Sequence, residues 1–238
     1  MGSLFTSCEY DNYKEPSANL KGALLYNNVD TVFVQQSSGT DINGVNVYFN
    51  LFEPGAKYAN WKSTPIRVVV DASGNYSSML FADKYKMVLP VGIGPFLTNT
   101  DTTEVTVTGN QTMNIPVIPY YLVRNFAPTL NPTDSLVSTT VKIDQIVTDS
   151  NAKTIGSVWL YINRTIIVDG GTNLASANIG GGDIKDLSTV TLTAKLPNLA
   201  KIGGLGISNK QKQFFVRVGV RINGSTEVFS SLRSITLP

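Results

Sequence analysis

The sequence predicts an all-β protein that consists of two β-sandwich domains in tandem. Apolar and polar residues alternate in short stretches that recur about every ten residues, and these stretches are rich in Val, Ile, Thr and Tyr. Gly, Asn or Pro stands between most of them, as expected of turns between strands. Helical spacing over three turns is hard to find, because the best candidate, residues 192–199, is interrupted by Pro197.

The first domain is predicted over residues 19–120. Its strands are expected at residues 19–26, 45–52, 65–70, 76–81, 85–89, 103–107 and 113–117. In residues 71–75 the Asp and Ser side chains can bind the local backbone and Gly74 can take a positive φ, which predicts a turn that joins two antiparallel strands. Residues 90–96 hold two Gly and two Pro, which predicts an irregular connection at the surface.

The second domain is predicted over residues 121–238. Residues 125–132 contain no long regular run, which places the domain boundary near Tyr121. Its strands are expected at residues 122–127, 137–148, 157–163, 189–196, 214–222 and 227–236. Trp159 alternates with Tyr161 in one of these strands and is expected to pack in or on the second sandwich.

The composition excludes several classes of function. The chain has no histidine, the usual general base and commonest metal ligand, so Ser-His, Cys-His and His–metal chemistry are excluded. With one cysteine it can form neither an internal disulfide nor a four-cysteine zinc site. A formal charge of +2 without a cluster of Lys and Arg argues against a nucleic-acid partner. We therefore expect no cofactor and no metal.

The single cysteine, Cys8, is the predicted site of lipid attachment. Residues 4–8, LFTSC, resemble a bacterial lipobox, in which an apolar residue and two small residues precede a cysteine that is lipidated after signal-peptide cleavage. The charged and hydrophobic parts of a signal are missing, so we interpret residues 1–18 as a lipobox remnant followed by a flexible polar tether. The alternative is that Cys8 is an ordinary free thiol.

Aromatic residues in the predicted loops are the candidates for carbohydrate binding. Binding of sugars without catalysis requires flat aromatic faces at the surface, beside side chains that bond hydroxyl groups. Tyr58 and Trp61 lie in EPGAKYANWK, a segment without alternation that supplies both. Phe96, in the loop of residues 90–96, is the second candidate. The alternative for these rings is that they fold back over an open end of a sandwich.

The acidic residues do not indicate an active site. Glycoside hydrolysis needs two carboxylates that face each other across a cleft. Among the Asp residues of the predicted turns, only Asp183 and Asp186 are near neighbours. Because Asp is preferred in turns, we interpret this pair as turn residues, with calcium binding as the weaker alternative. The sequence therefore predicts that the protein is not an enzyme.

Several segments carry a resemblance to a known family. EPSANLKGALLYN, VYFNLFEPG, IRVVVDASGNYSSMLFADKYKMVL and PVGIGPFLTNTDTTEVTV are similar to the DUF3823 lipoprotein family. VWLYINRTIIVDGG and QFFVRVGVRINGSTEVFSSLRSITL resemble the C-terminal part of that family. The resemblance implies a prealbumin-like sandwich of the carboxypeptidase regulatory type, followed by an immunoglobulin-like or fibronectin-III-like sandwich.

The same resemblance implies a function. Members of the family occur beside the outer-membrane importers and glycan-binding lipoproteins of polysaccharide-utilisation systems. We therefore expect a non-catalytic outer-membrane lipoprotein, exposed at the cell surface and held to the membrane by its lipid, that assists glycan capture and uptake. Its expected partners are a polysaccharide or oligosaccharide and the importer components. The alternative is a structural, adhesion or protein-interaction module with no glycan ligand.

Overall fold

The computed structural model of the protein describes residues 15–35, 47–53, 65–98, 101–197 and 212–237. Regular structure in these residues is β-strand, apart from one 3₁₀ turn at Gly181–Asp183. The part of the chain so described holds no helix with the length and apolarity that crossing a membrane requires. The strands form two β-sandwiches, so the predicted fold class is confirmed.

The first sandwich is built from two sheets. Its strands are β1 (Ala18–Tyr26), β2 (Asp30–Thr31), β3 (Tyr48–Phe52), β4 (Ile66–Val69), β5 (Asn75–Leu80), β6 (Asp83–Val88), β7 (Thr103–Val107), β8 (Gln111–Thr112) and β9 (Ile115–Pro116). In one sheet β1 pairs antiparallel with β2 and β5 and parallel with β8 and β9. The other sheet is antiparallel and has the order β4-β3-β6-β7.

The core of the first sandwich lies between these sheets. Leu20 and Leu24 on β1, and Phe49 and Leu51 on β3, are fully buried because alternate side chains of a strand point to the same face. The ring of Phe49 meets that of Tyr76 on β5 edge to face, with centroids 4.8 Å apart. Burial of each such aliphatic or aromatic side chain stabilises the fold by about 1.5–3 kcal/mol.

The second sandwich also has two sheets, and every strand pair in them is antiparallel. Its strands are β10 (Tyr121–Arg124), β11 (Thr129–Asn131), β12 (Leu136–Gln145), β13 (Ile155–Asn163), β14 (Ala175–Gly180), β15 (Val190–Lys195), β16 (Gln213–Ile222), β17 (Val228–Phe229) and β18 (Arg233–Thr236). β12 pairs with β10, β11 and β15. The other sheet has the order β14-β13-β16-β17, and β18 also pairs with β16. Val158, Leu160 and Ile162 on β13 point into the core.

The turn at residues 71–75 has the predicted chemistry but a different place in the fold. Asp71 Oδ1 accepts hydrogen bonds from the backbone N–H groups of Ser73 (2.8 Å) and Asn75 (2.9 Å). Gly74 has a φ of +77°, where a Cβ would meet the carbonyl of Val32. However, β4 before the turn pairs with β3, whereas β5 after it pairs with β1. The turn therefore carries the chain from one sheet to the other instead of closing a hairpin.

One of the predicted strands is shortened in the structure and another is divided. Residues 113–117 give only the short strand β9, because Asn114 Oδ1 accepts a hydrogen bond from the N–H of Ala23 (3.1 Å) and interrupts the pairing with β1. Residues 227–236 give β17 and β18, because the Ser230 hydroxyl accepts from the N–H of Val218 (3.0 Å) at the break. In both places a polar side chain takes over a backbone hydrogen bond.

The two sandwiches are in direct contact. Arg124, at the end of β10, donates from its two terminal nitrogens to the carboxylate of Asp30 on β2, at 2.5 and 2.6 Å, and from Nε to Asp144 at 3.1 Å. The N–H of Phe229 on β17 donates to the carbonyl of Phe33 in the first sandwich (3.1 Å). Side-chain and backbone bonds thus both connect the domains.

Arg124 makes the stability of the protein sensitive to acid. Hydrogen bonds from its guanidinium hold the pKa of Asp30 below its ordinary value of 3.8. A carboxylate with a lowered pKa stabilises the folded state above the pKa of the unfolded chain and loses this contribution as the pH falls through the folded pKa. We therefore expect Arg124→Gln to lower the free energy of unfolding near neutral pH, and its difference from wild type to shrink between about pH 4 and pH 2.

Urea denaturation at a series of pH values measures this difference. The control is Arg233→Gln, because Arg233 is an arginine exposed on β18. The control should follow the wild-type profile at every pH. A deficit in Arg124→Gln that stays constant down to the acid limit would contradict the role assigned to the Arg124–Asp30 pair.

Candidate functional site

The residues singled out in the sequence have different outcomes. Cys8, Tyr58 and Trp61 lie outside the described residues, so lipid attachment and the Tyr58/Trp61 platform stay predictions. Asp186 is a turn residue, as expected: its carboxylate accepts from the N–H and hydroxyl of Ser188, at 2.8 and 2.6 Å, and from the hydroxyl of Thr189 at 3.0 Å. Its hydrogen-bonding capacity is thus largely used within the turn.

Phe96 is buried, and the prediction that it offers an exposed face to a sugar is wrong. Its residue exposure is 4%. A β-bridge to Pro119 fixes its backbone, and a Cβ on Gly94 would lie 2.3 Å from its ring, so the loop wraps closely around it. Phe96 packs in the main hydrophobic core. The alternative interpretation, a ring folded back onto the sandwich, is therefore the one found. Burial of an aromatic ring is favourable because it removes a large apolar surface from water.

Aromatic and charged side chains meet on the outer face of β13 and β16. Trp159 and Tyr161 alternate with core residues and stack on each other, with centroids 5.7 Å apart and planes 3° apart. The guanidinium of Arg221 lies 4.5 Å from the centroid of Trp159, and that of Arg217 lies 4.4 Å from the centroid of Phe229. Trp159 is half-buried, so the expectation that it packs on the second sandwich is confirmed.

Hydrogen bonds fix these side chains relative to Glu227. Arg221 Nη2 donates to the Tyr161 hydroxyl (3.0 Å), and that hydroxyl donates to Glu227 Oε1 (3.0 Å). Arg221 Nε faces Glu227 Oε2 at 3.7 Å. Burial, and secondarily the charge of Glu227, raises the pKa of Tyr161 far above its usual range, so its hydroxyl keeps the proton that it donates. We call Trp159, Tyr161, Arg217, Arg221 and Glu227 the outer-face cluster.

Two glycines make room for the outer-face cluster. A Cβ on Gly219 would lie 2.2 Å from Glu227 Oε1, so this carboxylate occupies the space above a residue without a side chain. A Cβ on Gly170 would lie 2.7 Å from Arg221 Nη2. Larger residues at these positions would displace the charged groups, so the glycines set the geometry of the cluster.

Arg217 connects the outer-face cluster to the first sandwich. Its exposure is 2%, and it donates from Nε to the carbonyl of Ser230 (3.2 Å) and from Nη2 to the carbonyl of Ala72 in the turn after β4 (2.9 Å). Desolvation lowers the pKa of Arg217 to about 10, while the charges of Asp169 and Glu227 act in the opposite direction. Arg217 is therefore a buried cation that stays charged at neutral pH.

A groove lies where the two sandwiches meet, beside the outer-face cluster. We call it the interdomain groove; its volume is about 810 Å³. The first sandwich contributes Gln35 and Gly92 to its lining. The second contributes residues that include Gly170, Arg221, Asn223 and Glu227. Backbone, amide, guanidinium and carboxylate groups thus converge on a space large enough for a small ligand.

The described lining of the interdomain groove offers hydrogen-bonding groups to a ligand. Glu227 is the carboxylate that lines it within the described residues, and this carboxylate is already bonded to Tyr161. Hydrolysis of a glycosidic bond by the usual mechanism needs a second carboxylate across the cleft. The arrangement therefore supplies hydrogen-bond donors and acceptors of fixed orientation.

Sequence reasoning did not single out Arg217, Arg221 or Glu227. A signal exists in residues 214–222, FFVRVGVRI. One face of this strand is entirely apolar, whereas the other carries Phe215, Arg217, Gly219 and Arg221 in succession. Two arginines and a glycine on one face of a strand otherwise filled with apolar residues indicate that this face is covered by something polar.

Family models match the chain in two consecutive segments. Residues 18–118 match the protein of unknown function (DUF3823) N-terminal domain, and residues 121–232 match the domain of unknown function DUF3823_C. The chain belongs to the DUF3823 family. The matched residues of this DUF3823 protein cover the described strands of the first sandwich and those of the second except β18, and the resemblance inferred from the sequence is confirmed.

Solved structures similar to this chain share its fold. A DUF3823 family protein from Bacteroides ovatus ATCC 8483 is 25% identical, with a TM-score of 0.74 over 94% of this chain and 100% of that one. One from Parabacteroides merdae ATCC 43184 is 24% identical, with a TM-score of 0.75 and the same coverage. A proposed carbohydrate-binding protein from Bacteroides uniformis ATCC 8492 is 16% identical, with a TM-score of 0.69 over 93% of this chain and 100% of that one. The comparison with curated proteins gives no match.

Proposed function

We propose that this DUF3823 protein is a non-catalytic carbohydrate-binding protein that holds part of a glycan in the interdomain groove. The observation that carries the proposal is the polar lining of the groove, in which Ser157 accepts a hydrogen bond from the indole N–H of the half-buried Trp159. Sugar sites combine an aromatic face with a few rigid polar groups, and their cavities commonly measure about 300–1,000 Å³. The relative from Bacteroides uniformis, which is named for carbohydrate binding, supports the same class of ligand.

The rigidity of the outer-face cluster favours binding. Arg221 and Glu227 are held by Tyr161, and Trp159 Nε1 donates to the hydroxyl of Ser157, a groove residue, at 2.8 Å. Groups that are fixed before the ligand arrives lose little conformational entropy on binding. This preorganisation is expected of a site that recognises hydroxyl groups through hydrogen bonds of defined direction.

The membrane location is part of the same proposal. We infer that Cys8 carries a lipid that anchors the protein in the outer membrane, with the sandwiches at the cell surface beside a glycan importer and its partner lipoproteins. The lipobox-like residues 4–8 and the polar stretch that follows them support this placement. There the protein would assist glycan capture and uptake without chemical change to the glycan.

Affinity electrophoresis tests the proposal. The purified protein is run through gels that contain single plant or host polysaccharides, and retardation reports binding. We expect at least one polysaccharide to retard the wild type, and Asn223→Ala to weaken that retardation about fivefold, because it removes one amide from the groove. Asn110→Ala, in an exposed turn of the first sandwich, is the matched control and should bind as wild type.

Trp61→Ala locates the site. If it abolishes retardation while Asn223→Ala leaves it unchanged, binding takes place in the predicted Tyr58/Trp61 segment and not in the interdomain groove. If no polysaccharide retards the wild type, glycan binding is contradicted.

Docking on a protein partner is the second candidate function. Met79 and Phe81, at the end of β5, are 60% and 48% exposed, although both are large and apolar. Exposed apolar side chains on one face of a strand are typical of contact surfaces. Failure of glycan binding would therefore favour attachment to neighbouring proteins through this face.

A further inference from the structure

The charge that the interdomain groove presents to a ligand is positive. Its ionisable lining residues, within the part of the chain that is described, are Arg221 and Glu227. The side chain of Glu227 is 6% exposed and lies behind Tyr161 and Arg221, whereas that of Arg221 is 37% exposed. The carboxylate is thus compensated inside the protein, and the guanidinium is the charged group within reach of a ligand.

The guanidinium of Arg221 is held in place, and one of its nitrogens is still available to donate to a ligand. Nε faces Glu227, Nη2 donates to Tyr161, and the guanidinium carbon lies 4.5 Å from the ring centroid of Trp159. Nη1 makes no hydrogen bond to any residue of the described segments. A guanidinium that is fixed in this way needs little reorganisation to donate charge-assisted hydrogen bonds to an anion.

A second cation lies at the rim of the same groove. The ammonium of Lys153 donates to the carbonyl of Gly224, a lining residue, and lies 5.1 Å from the ring centroid of Tyr120. Asp183 is an exposed acid in the 3₁₀ turn that follows β14, but it lies beside Gly180 and does not belong to the groove lining. The exposed charges of the lining and of this rim residue therefore have the same sign.

We propose that the interdomain groove selects an anionic saccharide, whose uronate carboxylate or sulfate ester binds Arg221 Nη1. This inference rests on the proposed function and adds the class of glycan to it. The carboxylate of a uronic acid or the oxygens of a sulfate ester match the guanidinium donors, and Lys153 adds attraction at longer range. A neutral sugar can offer Nη1 a hydroxyl oxygen, but this hydrogen bond lacks the attraction between opposite charges that an anion adds.

Titration calorimetry with the full chain tests the inference. The ligands are oligogalacturonate, the same oligomer with its carboxylates methyl-esterified, a sulfated galactan and its desulfated form. We expect the wild type to bind at least one anionic ligand about tenfold more tightly than its neutral counterpart, and the preference to weaken as salt is raised. The paired ligands distinguish a carboxylate from a sulfate ester as the recognised group.

Three variants test which residue causes the preference for anionic ligands. Arg221→Gln should reduce the anionic preference to near unity, because it removes the charge and its fixed donors. Lys153→Gln removes a charge at the rim of the groove, and it should reduce the preference for the anionic ligand about twofold to threefold. Arg233→Gln, on the exposed strand β18, should leave it unchanged.

The outcomes separate this inference from the proposed function. Equal affinity for charged and neutral ligands, or a preference that survives in Arg221→Gln, overturns the anionic selectivity while glycan binding stands. No binding of any of these ligands or of the polysaccharide panel overturns both. If Arg221→Gln does not fold, the loss of preference in Lys153→Gln decides, and its absence counts against the inference.

Discussion

Replacing Arg217 with methionine is expected to lower the free energy of unfolding by about 3–5 kcal/mol. Arg217 lies near Asp169 and Glu227, which are 2% and 6% exposed, so its replacement removes a buried positive charge that offsets these two carboxylates. The carbonyls of Ser230 and Ala72 also lose their donors. Guanidinium chloride denaturation measures the change.

The control for this substitution is Arg233→Met. Arg233 lies in the same sheet but is exposed, so its replacement should change the free energy of unfolding by less than about 0.5 kcal/mol. A loss below about 1 kcal/mol in Arg217→Met would mean that water or rearranged side chains compensate the buried acids, and the role of Arg217 in joining the domains would have to be abandoned.

The second large effect is expected from Gly22→Ala in β1, with a loss of about 3 kcal/mol. A Cβ on Gly22 would lie 1.9 Å from the carbonyl oxygen of Met113, which is backbone and cannot rotate away. The same carbonyl accepts a hydrogen bond from the Tyr76 hydroxyl. Burial raises the pKa of Tyr76 to about 12, so this hydroxyl remains a donor. The extra methyl group would therefore force β8 and β9 away from β1 and break this bond.

Gly109→Ala is the matched control for that prediction. A Cβ on Gly109 would meet nothing within 4 Å, and its φ lies outside the left-handed region. Its unfolding free energy should stay within about 0.5 kcal/mol of wild type, as judged by thermal and chemical denaturation of both variants. Similar unfolding free energies of the two glycine variants would contradict the prediction. They would show that the connection between β8 and β9 moves away from the added methyl group at little cost.

The strands with one face in the core were predictable. β1, β12, β13 and β16 are found where strict alternation places them, with ends that differ by a few residues. β14 was missed, because ASANIG carries no alternation of large apolar residues. It is a strand because its backbone pairs with β13 along Ser157–Ile162. This pairing depends on the neighbouring strand and not on the residues of β14 themselves.

The candidate site was much less predictable than the fold. Phe96 was chosen from the composition of its loop, yet its side chain is buried in the core and its backbone forms a bridge with the distant Pro119. Arg217 and Arg221 were overlooked, because a strand pattern shows that they share a face but not what covers it. Arg217 is covered in part by the carbonyl of Ala72, which is 145 residues away in the chain.

The sequence by itself determined the all-β class, the two sandwiches and the absence of histidine chemistry, because alternation and residue inventory are local properties. The tertiary structure alone decided that the turn at residues 71–75 passes between sheets and that the outer-face cluster meets the first sandwich at a groove. These features depend on contacts between residues far apart in the chain. Such contacts arise only when the sheets of a sandwich pack on each other or the two sandwiches meet, so no pattern within one strand specifies them.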